Sequence, residues 1–302
     1  MRIISKNQFV LALAAVSRRV WRLKGWDRLL RVVYTPDRYP KRDRCCVVVP
    51  YDDNLLINID TSSFIEWEIL FKGHYETYLV QLYKRILRPG MVVIDVGANV
   101  GCHALIFSDL VTAIGHVIAI EPNPEVAQRL MDNCQLNGLQ NVCTLLRVAC
   151  GRHAQSSGTL VASETSLHTG YLSPATGAHN AVGPVRSVRV EVSTLDAIFA
   201  QSGLGRLDFV KIDVDGGEYD VLLGGEKTFL KHHPHILFEY SPGNYSRSGV
   251  ALGMVQQCMK RWGYNLYFIH DFRGHFSHLS PITKDSVPDG NLLAVPDGRS
   301  SA

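Results

Sequence analysis

The stretch Val92-Val93-Ile94-Asp95-Val96-Gly97-Ala98-Asn99-Val100-Gly101-Cys102-His103 decides how the rest of the chain is read. Its first five residues are apolar except for Asp95, the pattern of a strand buried on both faces. The run breaks at Gly97. A second glycine, Gly101, leads into a helix-like stretch over 101–112. Parallel sheets bind ligands beyond the carboxyl ends of their strands, where such a turn lies. Glycines let the backbone approach a ligand. The helix start offers N–H groups to an anion, such as an amino-acid carboxylate. The spacing is Gly97-x-x-x-Gly101, with Asn99 where a dinucleotide fold would place its second glycine. A pyrophosphate would lack its close approach, which argues against NAD and for a nucleoside without phosphates.

Working outward, the next buried run ends Ala119-Ile120-Glu121-Pro122-Asn123. An acidic residue at the second strand end accepts hydrogen bonds from ribose hydroxyls. Asp95 or Glu121 alone reads as a surface carboxylate; at two successive strand ends they read as a cofactor cradle. A third strand end carries Lys211-Ile212-Asp213-Val214-Asp215-Gly216-Gly217-Glu218. Asp213 faces either the cofactor amine or the substrate, or joins Glu239, at the next strand end, on a divalent metal. Glu218 alone reads as a helix-start carboxylate favoured by the dipole.

Strand-like runs at 91–96, 117–120, 142–149, 188–192, 209–212, 236–238, 265–269 and 292–295 alternate with helical patterns. They predict an α/β fold, mostly parallel, with helices on both faces. The last two strands lack a helix between them and are expected to pair antiparallel. Residues 152–184, rich in Ser, Thr, Gly, Ala and His, read as a loop or hairpin insertion with a short strand at 159–162. Residues 64–87 look helical, and 45–60 suggest a β-hairpin.

Residues 8–33 carry a helical stripe of Leu13, Val16, Val20, Leu23, Leu30 and Val33, with Arg18, Arg22, Arg28 and Arg31 off it. Residues 1–44 hold 12 Lys/Arg against 3 Asp/Glu, on a chain whose net charge is only +3. Two readings stand: a packed helix with a solvated basic face, or a peripheral contact with an anionic membrane surface. The expected organisation is a basic helix-and-hairpin extension over 1–60 and one catalytic domain over 61–302. Seven cysteines without any C-x-x-C pair, and the absence of a signal-peptide pattern, predict a cytoplasmic, reducing setting and no zinc finger. No Asn-Pro-Pro-Tyr or Asp-Pro-Pro-Tyr occurs and the basic arm lacks interleaved aromatics, so no nucleic-acid partner is expected.

These residues resemble the FkbM family of S-adenosylmethionine (SAM)-dependent methyltransferases over roughly residues 73–240. The stretches that carry the resemblance are Gly73-His74-Tyr75-Glu76, Ile94 through Gly101, Ala119 through Pro124, Asn133 through Leu139, Ser193-Thr194-Leu195-Asp196 and Val210 through Val214. The resemblance implies a class I, Rossmann-like sheet of seven strands with the last antiparallel. It implies O-methylation of a hydroxyl on a sugar, glycolipid, polysaccharide or natural product. It further implies that Asp95, Gly97, Asn99, Gly101 and Glu121 surround SAM, with the backbone at Val148-Ala149 beside the adenine. Glu76 and Asn123, in matched stretches, join that set. One position departs: the family usually continues Val-Glu-Gly where this chain has Val214-Asp215-Gly216, which withdraws a carboxylate by one methylene.

A hydroxyl is a poor nucleophile at neutral pH and benefits from a general base. Asp213, His103 and His168 are the candidates, with Asp213 and His103 expected to flank the acceptor. The alternative function is a SAM-fold protein that binds or scaffolds without catalysis.

Overall fold

Every residue from Val92 to Val96 is buried, as the unbroken apolar run requires. The computed structural model describes residues 6–21, 23, 25–33, 46–60, 63–163, 170–173, 185–272, 275–283 and 287–298. His168 lies outside them. The chain divides into two compact units, Met1–Glu76 and Thr77–Ala302.

The first unit contains α1 (Lys6–Val20), α2 (Trp26–Val33), the antiparallel hairpin of β1 (Cys46–Tyr51) and β2 (Leu55–Asp60), and α3 (Phe64–Lys72). Gly25, at φ 87°, separates the two basic helices. The expected apolar stripe is only partly turned inward: Leu30 is buried, Leu13 and Val20 are half-buried, and Val16 and Leu23 are exposed, while Ala14 and Ser17, off the stripe, are buried. α1 packs on α3, and the Trp26 indole N–H of α2 donates to the buried Ser17 Oγ at 2.9 Å. Arg18, expected on a solvated face, instead donates to the carbonyls of Leu70, Ile69 and Pro50 at 2.8, 3.0 and 2.9 Å. A guanidinium there answers the unpaired carbonyls and negative end of α3. Gly73, at φ 84°, caps α3 and splits the single helix expected over 64–87.

The second unit opens with α4 (Thr77–Ile86), β3 (Val92–Val96), α5 (Cys102–Val111), β4 (His116–Ile120), α6 (Pro124–Leu136) and β5 (Cys143–Leu146). There follow β6 (Ala149–Cys150), β7 (Gln155–Ser163), β8 (Gly170–Ser173), β9 (Val185–Ser193) and α7 (Leu195–Ser202). The second half holds β10 (Phe209–Ile212), α8 (Glu218–Gly224), α9 (Glu226–His232), β11 (His235–Tyr240), α10 (Pro242–Arg247) and α11 (Leu252–Arg261). It ends with β12 (Tyr264–Phe272), β13 (His275–Pro281) and β14 (Gly290–Pro296).

The central sheet has the order β13-β12-β14-β11-β10-β3-β4-β5. From β5 to β11 neighbours are parallel, and β14 runs antiparallel to both β11 and β12. This is the seven-stranded arrangement expected, with β13 added as an eighth strand at the edge beside β12. The chain winds outward from β3 in one direction and from β10 in the other. The point between them is the topological switch at which such sheets open a ligand crevice.

The third strand expected over 142–149 is divided. β5 stays in the central sheet, while β6 starts a second sheet of order β6-β9-β7-β8. The described residues of the 152–184 insertion form strands: β7 pairs antiparallel with β8, and with β9 beyond the insertion. No helix among the described residues is long and apolar enough to cross a membrane.

Candidate cofactor and acceptor site

The switch point brings together the turns after β3, β4, β10 and β11. Gly97 has φ 80°, and a Cβ there would lie 1.8 Å from the Asp213 carbonyl oxygen. Only glycine allows the two turns to pass so closely. Its N–H and that of Ala98 both donate to the Ile120 carbonyl at 3.0 Å, which ties the turn to β4. Asn99 stands at φ 52°, a left-handed conformation that asparagine tolerates better than most residues. Its Oδ1 accepts from the Val100 N–H at 2.8 Å, closing the turn locally. Gly101, at φ 97°, begins α5 without a side-chain cap. Beneath the turn, Asn133 Nδ2 donates to the Val100 carbonyl at 2.9 Å from a fully buried position.

Glu121 is buried at the end of β4. Its carboxylate accepts the Asn99 N–H at 3.1 Å and the Asn123 N–H at 2.8 Å. Burial pushes the carboxyl up to about 7, against those two donors, which favour its charged form. The charges of Asp95 and Asp215 push in the same direction as burial, so both lie within electrostatic reach. Asn123 is itself a helix cap: its Oδ1 accepts the Glu125 N–H and starts α6. Ala149 is buried in β6, paired with Val192 of β9. Glu76 is the last residue of the other unit, at φ 44°.

Asp95 is fully buried within β3. Neither carboxylate oxygen has a hydrogen-bond partner among the described residues. Burial raises its pKa, opposed by Lys211, its register partner on β10, and by His103. Lys211 is equally buried, and its ammonium donates to Asp213 Oδ2 at 2.9 Å. Burial alone would raise the Asp213 carboxyl, but Lys211, with a contribution from His103, outweighs it and holds Asp213 below the usual carboxylate range. The Asp213 side chain keeps 37% of its surface exposed, so a charged carboxylate meets solvent at the switch point.

His103 is placed behind this group. It is buried, its Nδ1 lies 3.3 Å from the Tyr83 hydroxyl, and its ring packs against Tyr83 and Phe107. Asp213 and His103 are thus neighbours, but only Asp213 is open.

Glu218, read from sequence as a helix-start carboxylate, is almost wholly buried. Its Oε1 accepts the N–H groups of Val214 and Gly216, each at 3.0 Å, and so shapes the turn after β10. Burial, reinforced weakly by Asp213, pushes it up to about 7. Asp213, Glu218 and Glu239 each offer an oxygen within 4.8 Å of the others. The sequence pointed to Asp213 and Glu239; Glu218 is the member it missed. The signal available was its place in the turn, three residues beyond Asp215. Asp215 itself is exposed, at φ 55°.

A model of the methyltransferase FkbM domain matches residues 95–266, more than half of the chain. A model of protein-L-isoaspartate(D-aspartate) O-methyltransferase matches residues 27–155. The 2-O-methyltransferase NoeI of Sinorhizobium fredii is 30% identical over 173 residues, spanning 53% of this chain and 68% of that protein. The hexuronic acid methyltransferase AglP of Haloferax volcanii is 29% identical over 133 residues, 44% of this chain and 49% of that protein. The structure of methyltransferase FkbM from Methylobacillus flagellatus gives a TM-score of 0.44 at 16% identity, covering 75% of this chain and 52% of that one.

Proposed function

Because this chain belongs to the FkbM family of SAM-dependent methyltransferases, we propose that it methylates a hydroxyl oxygen of a sugar-containing acceptor or a related natural product. The observation that carries this reading is Asp213, a charged and half-exposed carboxylate at the switch point, next to the glycine turn. The relatives' names agree with it: one is a 2-O-methyltransferase and one acts on a hexuronic acid.

The residues present suit SAM. The glycine turn admits a ligand at the backbone, and Glu121 offers a carboxylate at the second strand end for ribose hydroxyls. The acidic surroundings complement a cationic cofactor. Bound SAM supplies an electrophilic methyl group. The chain's own task is to align the acceptor oxygen, chiefly a proximity effect. Asp213 accepts the acceptor's hydroxyl proton as a hydrogen bond and orients its oxygen. Lys211 keeps Asp213 charged, and His103, held against Tyr83 and Phe107, adds electrostatic support to Asp213.

The acceptor class is tested by transfer of labelled methyl from SAM to free glycans, uronic acids and a glycolipid in anionic vesicles. Labelling of a sugar oxygen supports the reading; SAM binding without transfer to any of them favours a non-catalytic role. Exposed Leu29 and Val32 on α2, beside Arg28 and Arg31, suit a peripheral contact with an anionic surface. Faster transfer to the vesicle-borne acceptor than to its soluble glycan would bear that out, and equal rates would remove it.

Cofactor affinity is expected to depend on pH through Glu121. Its folded pKa is raised to about 7, so below that pH it carries a proton and loses acceptor capacity. About a tenth of the population is ionised one unit below the pKa and about nine tenths one unit above. SAM affinity should therefore strengthen about tenfold from about pH 6 to about pH 8 in calorimetric titrations. Glu121→Gln should flatten that dependence. A flat profile in the unaltered protein would show that Glu121 does not bind as the carboxylate.

A further inference from the structure

Asp213, Glu218 and Glu239 come from three separate segments: the turn after β10, the first residue of α8, and the end of β11. Carboxylates brought so close repel one another unless something positive lies between them. Lys211 supplies one positive charge there, donating to Asp213 Oδ2 at 2.9 Å. The decisive atom is Glu218 Oε2. Glu218 is 1% exposed, and while its Oε1 is held by two backbone N–H groups, its Oε2 has no hydrogen-bond partner among the described residues. A buried carboxylate oxygen left without a donor is costly, and here it belongs to a residue whose fellow carboxylates offer oxygens within 4.8 Å.

We infer that Asp213, Glu218 and Glu239 form a binding site for a hard divalent cation, through which the enzyme holds two adjacent oxygens of its acceptor. The inference rests on the methyl-transfer reading and refines how Asp213 acts, through an ion as well as directly. Three oxygen donors and no sulfur or imidazole select magnesium, manganese or calcium over zinc. Metal–oxygen bonds of about 2.0–2.1 Å for magnesium and about 2.3–2.6 Å for calcium place opposite ligands about 4–5 Å apart. The carboxylates meet that limit. Backbone bonds already fix Glu218 Oε1, so the site is partly organised before an ion arrives. Three protein ligands leave positions for water or substrate. A vicinal diol, or a hydroxyl beside a carboxylate, would fill two of them and be polarised by the ion. Both arrangements are common in sugars and sugar acids.

The test uses the full chain, stripped with EDTA and titrated with manganese, followed by paramagnetic resonance of the free ion. One site per chain is expected. Glu239→Gln should weaken binding tenfold or more while leaving SAM affinity, measured by calorimetry, within about twofold. Glu239 is only partly buried, so this variant is the one best placed to fold; Glu218→Gln, with its melting temperature checked, is the second. Magnesium or calcium should displace the manganese. No uptake by the unaltered protein, undiminished uptake by Glu239→Gln, or competition between SAM and manganese for one site would each overturn the inference. EDTA-insensitive methyl transfer would also overturn it and leave the methyltransferase reading standing. Failure to bind SAM would instead sink that reading, with the manganese titration still readable.

Discussion

Gly97→Ala is expected to cost more than any other one-methyl change in the site. The added Cβ would lie 1.8 Å from the Asp213 carbonyl oxygen and 2.9 Å from its carbon, and both belong to backbone that cannot rotate away. The residue also sits at φ 80°, where alanine is strained even in open space. Relief requires β3 and β10 to separate at their carboxyl ends. That would stretch the Asp213 N–H to Val96 bond, now 3.0 Å, and the paired bonds from Gly97 and Ala98 to Ile120. A loss of roughly 3–5 kcal/mol is expected, the scale of severe core defects. In a unit of this size that lowers the melting temperature by roughly 10 °C or more. SAM binding should vanish with it, because the turn is both a hinge of the sheet and the floor of the cradle. Melting by circular dichroism, with calorimetry for SAM, checks both; a variant that melts within about 2 °C of the parent would refute the packing argument.

Asp213→Asn is expected to do the opposite: preserve the fold and abolish turnover. The amide keeps the shape of the carboxylate but neither its charge nor its basicity. General base and orienting groups of this kind contribute about 10²–10⁴-fold to rate, so kcat should fall by that factor. SAM affinity should change by less than about threefold, since the cofactor is held by the glycine turn and Glu121. Lys211 would lose its hydrogen bond to the Asp213 carboxylate, so a modest drop in melting temperature is expected. Steady-state rates against single-turnover rates, alongside calorimetry, separate the two effects. Retention of more than about a tenth of the parent rate would remove Asp213 from the mechanism.

The fold was legible because the strands around the switch point are buried on both faces and therefore read as largely apolar runs. β3, β4, β10 and β11 all announce themselves this way. The edges were less clear. β13 carries only Phe276 and Leu279 as large apolar residues among seven, so its alternation is faint. β7 was obscured for a similar reason: its Ser, Gly and Thr residues weaken a period-two signal. Helix phase was the other difficulty. Residue type favoured a stripe through Val16 and Leu23, whereas the residues buried on α1 are the small Ala14 and Ser17.

At the site, sequence spacing located each strand-end carboxylate but could not rank their exposure. Asp95 and Asp213 look equivalent in the chain, yet one is sealed in the sheet and the other meets solvent. Asp95 lies inside β3, in register with Lys211, whereas Asp213 stands one residue beyond the end of β10, and that offset depends on the pairing of strands more than a hundred residues apart. His103 likewise looked available until Tyr83, Phe107 and Phe209 were seen to assemble around that region.

The second sheet has a consequence for how the molecule can change. Its two anchoring strands, β6 and β9, lie side by side, with Ala149 opposite Val192 and Cys150 opposite Ser193. The polypeptide therefore leaves the main body and returns to it at nearly one point. A segment with adjoining ends can be lengthened, trimmed or exchanged for another without displacing α7 or the strands beyond it. Transplanting the hairpin between relatives, cut at Cys150 and Ser193, is accordingly a direct route to chimeras.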